Sequence, residues 1–482
     1  MNDRRTIFSS FVWKFSERLL SQGVGLIIQI LIARMIKPEA VGEMAILLSV
    51  INIFSVIAQS GFSSYIIQKK DLDDDAVSSV VAFSLLIASA CIALLCGGGD
   101  SLMGLLGYPN LAKHLKVASI MLLFHAANGI CMGILSREMQ FKEMFIRTLI
   151  VLPLSALVCF LLMYCGFELE ALIAYNIVNP LFTTLFLLSL LRKSKYKIRL
   201  KIKWKDLKAA LPYSLRVLIQ DMGNVVCNSL RSFIMGGLYS SNDLAYYDRA
   251  FTYTSYVEES VTYTASSVLL PAMAKEQDNR ERFQNYIVKS TALYSIVIIP
   301  ALLGFAAVSP TFTRVILTEK WLPCVPYICV FAVGFLHYPI LTIQRPAFLA
   351  CGRSDVTLKI TVIQNITSLT AIALTLKFSP LVIAIGTSLS LLAYIPLYVY
   401  ATKRYIEISV ADQLGMMAKY TLLAIIMAAL IFPMNQLAIN DVLKLFVQVV
   451  TGIIVYVMML IITKDKVFHE GLKKVIARRK KK

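Results

Sequence analysis

Charge is scarce in this chain: Asp, Glu, Lys and Arg supply only 16% of its 482 residues, against 57% hydrophobic. That is too little polar sequence to cover a water-soluble globule of this size. Long polar stretches are missing as well. No spacer between the apolar runs exceeds about 20 residues, the length of one membrane-spanning helix. This excludes a nucleotide-binding domain, a glycosyltransferase domain, and the large exterior loop that a glycan polymerase or ligase needs. Cys-x-x-Cys pairs are absent, and the nine cysteines lie mostly within apolar runs, as Cys91, Cys96, Cys131, Cys159 and Cys227 do. They read as packing residues rather than as a zinc or redox framework. There is no Walker motif, no H-E-x-x-H and no arrangement resembling a catalytic triad. No catalytic residue, metal or cofactor is therefore expected. The segment from Met1 to Arg18 carries Arg4, Arg5, Lys14 and Glu17 without an apolar core before a cleavage site, and is expected to stay on the mature protein.

What the chain has instead is apolar sequence long enough to cross a bilayer, repeated from end to end, with a mean hydropathy of +0.70. The runs at 10–35, 40–68, 76–97, 112–135, 145–165, 169–191, 207–238, 244–273, 286–308, 324–350, 355–377, 379–400, 414–434 and 441–463 predict an all-α integral membrane protein of about fourteen transmembrane helices. Most of the 48 basic residues fall in alternate spacers. Because short basic loops are retained inside, both termini are expected in the cytoplasm. The net charge of +19 then reflects topology, and no nucleic-acid partner is expected.

The densest internal basic run, Arg192 to Lys208, alternates charge with Tyr196, Ile198, Leu200, Ile202 and Trp204. It reads as a surface-lying linker between two halves. Ser16, Arg18, Leu20, Gln22 and Gly25 in helix one recur as Ser214, Arg216, Leu218, Gln220 and Gly223 in helix seven. A pattern shared by the first helix of each half supports a parallel repeat. The expected architecture is two pseudo-symmetric six-helix lobes around a central cavity, at 1–191 and 207–400. Residues 192–206 form the cytoplasmic linker, 401–463 two further helices, and 464–482 a basic cytoplasmic tail.

Polar side chains inside such helices are costly and mark functional sites by default. In helix seven Arg216, Gln220, Asn224, Cys227 and Arg231 share one face, with Asp221 beside it. Helix eight carries Arg249, Thr252, Tyr253, Tyr256, Glu259 and Tyr263 along a second stripe, with Glu258 adjacent; helix one adds Arg18 and Gln22, and helix ten Arg345. Guanidinium forks suit phosphate oxygens, while amides and phenols suit sugar hydroxyls. The candidate substrate-binding residues are thus Arg18, Gln22, Arg216, Gln220, Asn224, Arg231, Arg249, Tyr253, Tyr256 and Arg345. Asp221, Glu258 and Glu259 are candidates for ion coupling, or for charge pairs that merely lock these arginines in place. His125 and His337 read as packing histidines.

Several motifs, in order, resemble those of the Wzx-type polysaccharide exporters. This is the lipopolysaccharide, colanic acid and teichuronic acid branch of the multidrug, oligosaccharidyl-lipid and polysaccharide exporter superfamily. The stretches are Ala33-Arg34-Met35-Ile36-Lys37-Pro38-Glu39 with Gly42, Ser60-Gly61-Phe62 with Gln68-Lys69, and Arg137-Glu138-Met139-Gln140-Phe141. Tyr246-Tyr247-Asp248-Arg249-Ala250, Leu270-Pro271-Ala272-Met273, Trp321-Leu322-Pro323 and Ala350-Cys351-Gly352-Arg353-Ser354-Asp355 follow. Ala245 departs from the glycine expected there. The resemblance implies a multi-pass protein of the bacterial inner (plasma) membrane. It implies a flippase that carries polyprenyl-pyrophosphate-linked oligosaccharide from the cytoplasmic to the outer leaflet by alternating access, with Arg18 and Arg249 as cavity cations. It further implies a lipid-tail groove shaped by the last two helices, and polysaccharide polymerase machinery as a partner. A drug or cation antiporter of the same superfamily, which would favour acidic cavity residues, is the principal alternative; a membrane-embedded glycan polymerase or ligase is the weaker one.

Overall fold

The computed structural model describes residues 2–69, 72–191, 196, 201–276, 279–465 and 467–470. Side chains are described for these residues except 2–12, 220, 224, 263–272, 274–276, 354 and 416. Among the described residues no strand occurs, and eighteen α-helices succeed one another. They are α1 (Asn2–Met35), α2 (Pro38–Gln59), α3 (Phe62–Gln68), α4 (Asp74–Leu105), α5 (Ala112–Ala118), α6 (Met121–Arg137), α7 (Phe141–Tyr164), α8 (Leu169–Leu191) and α9 (Trp204–Leu238). There follow α10 (Ser241–Glu276), α11 (Arg280–Phe312), α12 (Val325–Gly334), α13 (Tyr338–Ala350), α14 (Ser354–Thr375), α15 (Pro380–Leu392), α16 (Tyr394–Tyr405), α17 (Val410–Ile431) and α18 (Asp441–Ile462).

Twelve segments of the described chain are long and apolar enough to cross a membrane. The two expected spans outside that set are α9 and α10, with 35 and 36 residues. Either would exceed about 50 Å at 1.5 Å per residue, so length suffices; their charged, amide and hydroxyl side chains make them less apolar than the other long helices. Helix starts follow the side chains that satisfy free backbone N–H groups. Asp73 accepts from Ala76 N ahead of α4, Asn279 from Arg282 N ahead of α11, and Ser409 from Asp412 N ahead of α17. The tight turn read at Phe378, Ser379 and Pro380 is present: Ser379 Oγ accepts from Val382 N, and Pro380 opens α15.

The chain forms two compact units, residues 1–245 and 246–482. In the first, α1 packs along α7, α2 along α9, and α6 against α3 and α8. Its core includes Phe62, Ile66, Val77, Ile130, Ile134 and Leu187. Helix α9 belongs to this unit by packing: Ser229 Oγ donates to the Ser49 carbonyl at 3.1 Å. Gly42 lies so close to the Ser241 carbonyl that a Cβ there would collide with it. In the second unit α11 is central, packing on α12, α13, α17 and α18, around Ile298, Leu302, Phe335, Tyr398 and Tyr420. Compact packing therefore divides the chain elsewhere than the expected repeat does; the six-helix division at 191 and 207 stays a proposal. Of the linker, residues 192–195 and 197–200 lie outside the described residues, as does most of the basic tail. Tyr196 is buried, and its hydroxyl accepts from Arg137 Nε at 3.1 Å.

Candidate functional site

The motifs that carry the family resemblance come together at helix ends. Arg137, at the end of α6, donates from Nη1 to the Ile66 carbonyl at 2.8 Å and to the Lys69 carbonyl. It thereby caps the orphan carbonyls of α3, which ends in the Gln68-Lys69 motif. Gly61 precedes α3 with φ +69°, and a Cβ on it would approach the Ser214 carbonyl to 2.8 Å. In the second unit the Arg249 guanidinium lies over the Trp321 ring at 5.9 Å, and Tyr246 meets the same indole edge-on at 6.0 Å. Arg353 holds Asp355 with two parallel N–H bonds at 3.0 and 3.2 Å and covers Tyr405 at 4.2 Å, after Gly352 at φ +70°. All of these residues fix helix ends and helix contacts.

The candidate cavity residues separate by exposure. On α9, Arg216 and Asp221 are exposed and Arg231 is half-buried, its Nη2 3.5 Å from Asn228 Oδ1. The side chains of Gln220 and Asn224 lie outside the described residues. Ala210, Ser214, Ser229 and Met235 of the same helix are buried in the first unit. On α1, Arg18 is exposed and Gln22 half-buried. On α10, Arg249 and Tyr253 are buried, Tyr253 edge-on to Phe312 at 6.1 Å, whereas Tyr256 and Glu259 are half-buried. Glu258 is 2% exposed and accepts from Thr262 Oγ1 and from the Tyr294 hydroxyl. On α13, Arg345 is exposed. Its neighbour Gln344 is buried instead, donating to Gln413 Oε1 at 2.8 Å and accepting from Thr402 at 2.7 Å. The histidines are satisfied, His125 Nδ1 by Ser55 at 2.9 Å and His337 Nδ1 by the Gly334 carbonyl at 2.8 Å.

Sequence reading missed one intramembrane ion pair. Glu17 on α1 receives Arg147 Nη2 of α7 at 3.1 Å and Thr148 Oγ1 at 3.0 Å. Trp13 against Phe145 at 5.4 Å and Lys14 over Phe141 at 5.2 Å continue the same seam. The signal was present: each charge stands a few residues inside one end of its apolar run. Outside the spans, Lys203 is held above the usual lysine range by its hydrogen bond to Asp75. Asp465 is buried, which pushes its carboxyl up. Lys419, the Phe468 N–H and the Tyr420 hydroxyl outweigh that and hold it below the usual carboxylate range.

The second unit also contains an apolar cleft of about 330 Å³ between α11, α17 and α18. Phe305, Val308, Met427, Ile431 and Ile453 line it, and Gln448 is the one polar lining residue. Such a surface suits a hydrocarbon chain and offers a sugar only the Gln448 amide.

The fold is shared with solved membrane proteins of many helices. The chain superposes on a structure titled "Lipid II flippase MurJ, inward closed conformation" with a TM-score of 0.72 and 17% identity, covering 94% of this chain and 99% of that one. An inward-facing multidrug resistance MATE family transporter of the MOP superfamily gives 0.61 and 16%, covering 82% and 98%. The chain belongs to the polysaccharide biosynthesis protein family, whose profile matches residues 31–326. It is 22% identical over 385 residues to the lipopolysaccharide biosynthesis protein WzxC of Escherichia coli strain K12, covering 78% of this chain and 76% of that one. It is also 22% identical over 317 residues to the succinoglycan biosynthesis transport protein ExoT of Rhizobium meliloti strain 1021, covering 66% of this chain and 64% of that relative's length. The resemblance to Wzx-type exporters read from the motifs is borne out.

Proposed function

We propose that this chain is a flippase that moves a polyprenyl-pyrophosphate-linked oligosaccharide from the cytoplasmic to the outer leaflet of a bacterial plasma membrane, by alternating access between two six-helix lobes. Both termini are cytoplasmic, and polysaccharide polymerase machinery consumes the product outside. The observation that carries this reading is α9: a helix long enough to span that leaves Arg216 and Asp221 exposed and Arg231 half-buried. A polar glycan head cannot cross hydrocarbon unaided, so a path for it needs such side chains at membrane depth. Arg216 and Arg18 are the first candidates for the pyrophosphate, because they are exposed. Arg249 is covered by Trp321 and contributes to the site through the packing of α10. The apolar cleft of α11, α17 and α18 receives the polyprenyl tail.

The test is flipping of a fluorescent polyprenyl-pyrophosphate oligosaccharide in proteoliposomes. Wild type is expected to flip, with Arg18→Ala and Arg216→Ala reduced at least tenfold. Flipping at wild-type rate by both variants would overturn the site assignment. Failure of folded wild type with several glycan lipids would favour a drug or cation antiporter, the reading to which the MATE-like fold and the buried Glu258 lend support.

A further inference from the structure

We propose that Glu258 is a proton-binding site whose loading and unloading couple substrate movement to the transmembrane proton gradient; the coupling half of this statement rests on the flippase reading above. Glu258 stands at the middle of the 36-residue α10 and is 2% exposed. Its partners are two hydroxyls, Thr262 on the next turn and Tyr294 on α11. Tyr294 in turn pairs with Thr342 of α13. Among the described residues no lysine, arginine or histidine lies within ion-pair distance of the carboxylate. The titratable groups that act on it are Glu259 beside it, Tyr294, and Tyr338 of α13. His337, next to Tyr338, is occupied by the Gly334 carbonyl and stacks on Tyr394.

Half-buried Glu17 and buried Asp465 are served differently. Glu17 has Arg147 and Asp465 has Lys419, so each keeps its charge in company. An anion at mid-membrane depth with hydroxyl partners and no counter-ion is among the costliest arrangements a bundle can hold. A proton removes that cost and leaves an acid O–H that a threonine or tyrosine oxygen accepts. The occluded geometry here suits that neutral acid. When α10 reaches water, the acid releases its proton as hydronium and the carboxylate is solvated. It takes a proton up again from water on the opposite side, so each cycle moves one proton and changes no other bond.

The experiment uses purified full-length protein in nanodiscs and proteoliposomes, with wild type, Glu258→Gln, Glu259→Gln and Tyr294→Phe. Infrared difference spectra across pH are expected to show a protonated-carboxyl band in wild type and Glu259→Gln. The band should vanish in Glu258→Gln, and its midpoint should move in Tyr294→Phe. This readout needs no substrate, so it stands or falls apart from the flippase reading. If the wild-type spectra show no such band, or Glu258→Gln keeps it, the site is overturned. In proteoliposomes a proton gradient, acidic on the exterior side, is expected to speed wild-type flipping several-fold and leave Glu258→Gln unmoved. A gradient response retained by Glu258→Gln, or a response to sodium in place of protons, would overturn the coupling.

Discussion

On the proposed reading the candidate arginines divide into substrate contacts and packing residues, and burial separates them. Arg18 and Arg216 are exposed, whereas Arg249 is 6% exposed and lies over an indole. Removing the first two should change unfolding free energy by no more than about 0.5 kcal/mol, as surface substitutions do, while cutting transport. Arg249→Ala should cost about 2 kcal/mol through the lost desolvated cation–π contact, and thermal unfolding in detergent would read the difference. Equal melting temperatures for all three would show that Arg249 is not a packing residue. Asp465 supplies a pH dependence whose sign follows from its environment. Its carboxyl is held below the usual range, so its contribution to stability is present above the unfolded value of about 3.9 and is lost as pH falls through the folded value. Melting curves between neutral pH and pH 3 should therefore be flatter at the acid end for Asp465→Asn. Sequence reading flagged Arg249 and Arg216 alike, because residue type and helical spacing carry no record of which side chain a neighbouring element will cover.

Helix ends and close helix contacts are where the recognisable motifs of this family are spent. Arg137 supplies several donors to the last turn of α3, and a lysine offers only a point charge there. Arg137→Lys should therefore destabilise the first unit by about 1–2 kcal/mol, measurable in the same unfolding assay. Glycines divide in the same physical way. Gly42→Ala drives a methyl group into the Ser241 carbonyl and should cost about 1–3 kcal/mol. Gly223→Ala on α9 meets nothing within 4 Å and should stabilise by about 0.5–1 kcal/mol. A neutral Gly42→Ala would show that α2 and the start of α10 can separate freely. The motif order was legible in the chain; that Arg137 caps α3, or that Trp321 covers Arg249, needed elements distant in sequence to be brought together.

At the scale of the molecule, the distribution of basic residues makes a prediction that native cysteines can test. Cys165 and Cys351 are both exposed, and they stand at the ends of apolar runs expected on opposite sides. In variants retaining only one of them, a membrane-impermeant maleimide added to intact cells should label Cys165 and spare Cys351 until the membrane is opened. The reverse pattern would invert the topology. Membrane residence, helix number to within two, and the expected orientation could be argued from sequence because they depend on quantities summed along short stretches of chain. The bilayer responds to hydropathy and charge whatever the helix packs against. The polar character of α9 and α10 was equally plain. Only the tertiary structure placed α9 in the first packed unit, left Arg345 exposed and Gln344 buried, paired Glu17 with Arg147, and left Glu258 buried among hydroxyls. Those outcomes depend on which helix faces meet, a property of pairs of distant segments that no single stretch of sequence contains.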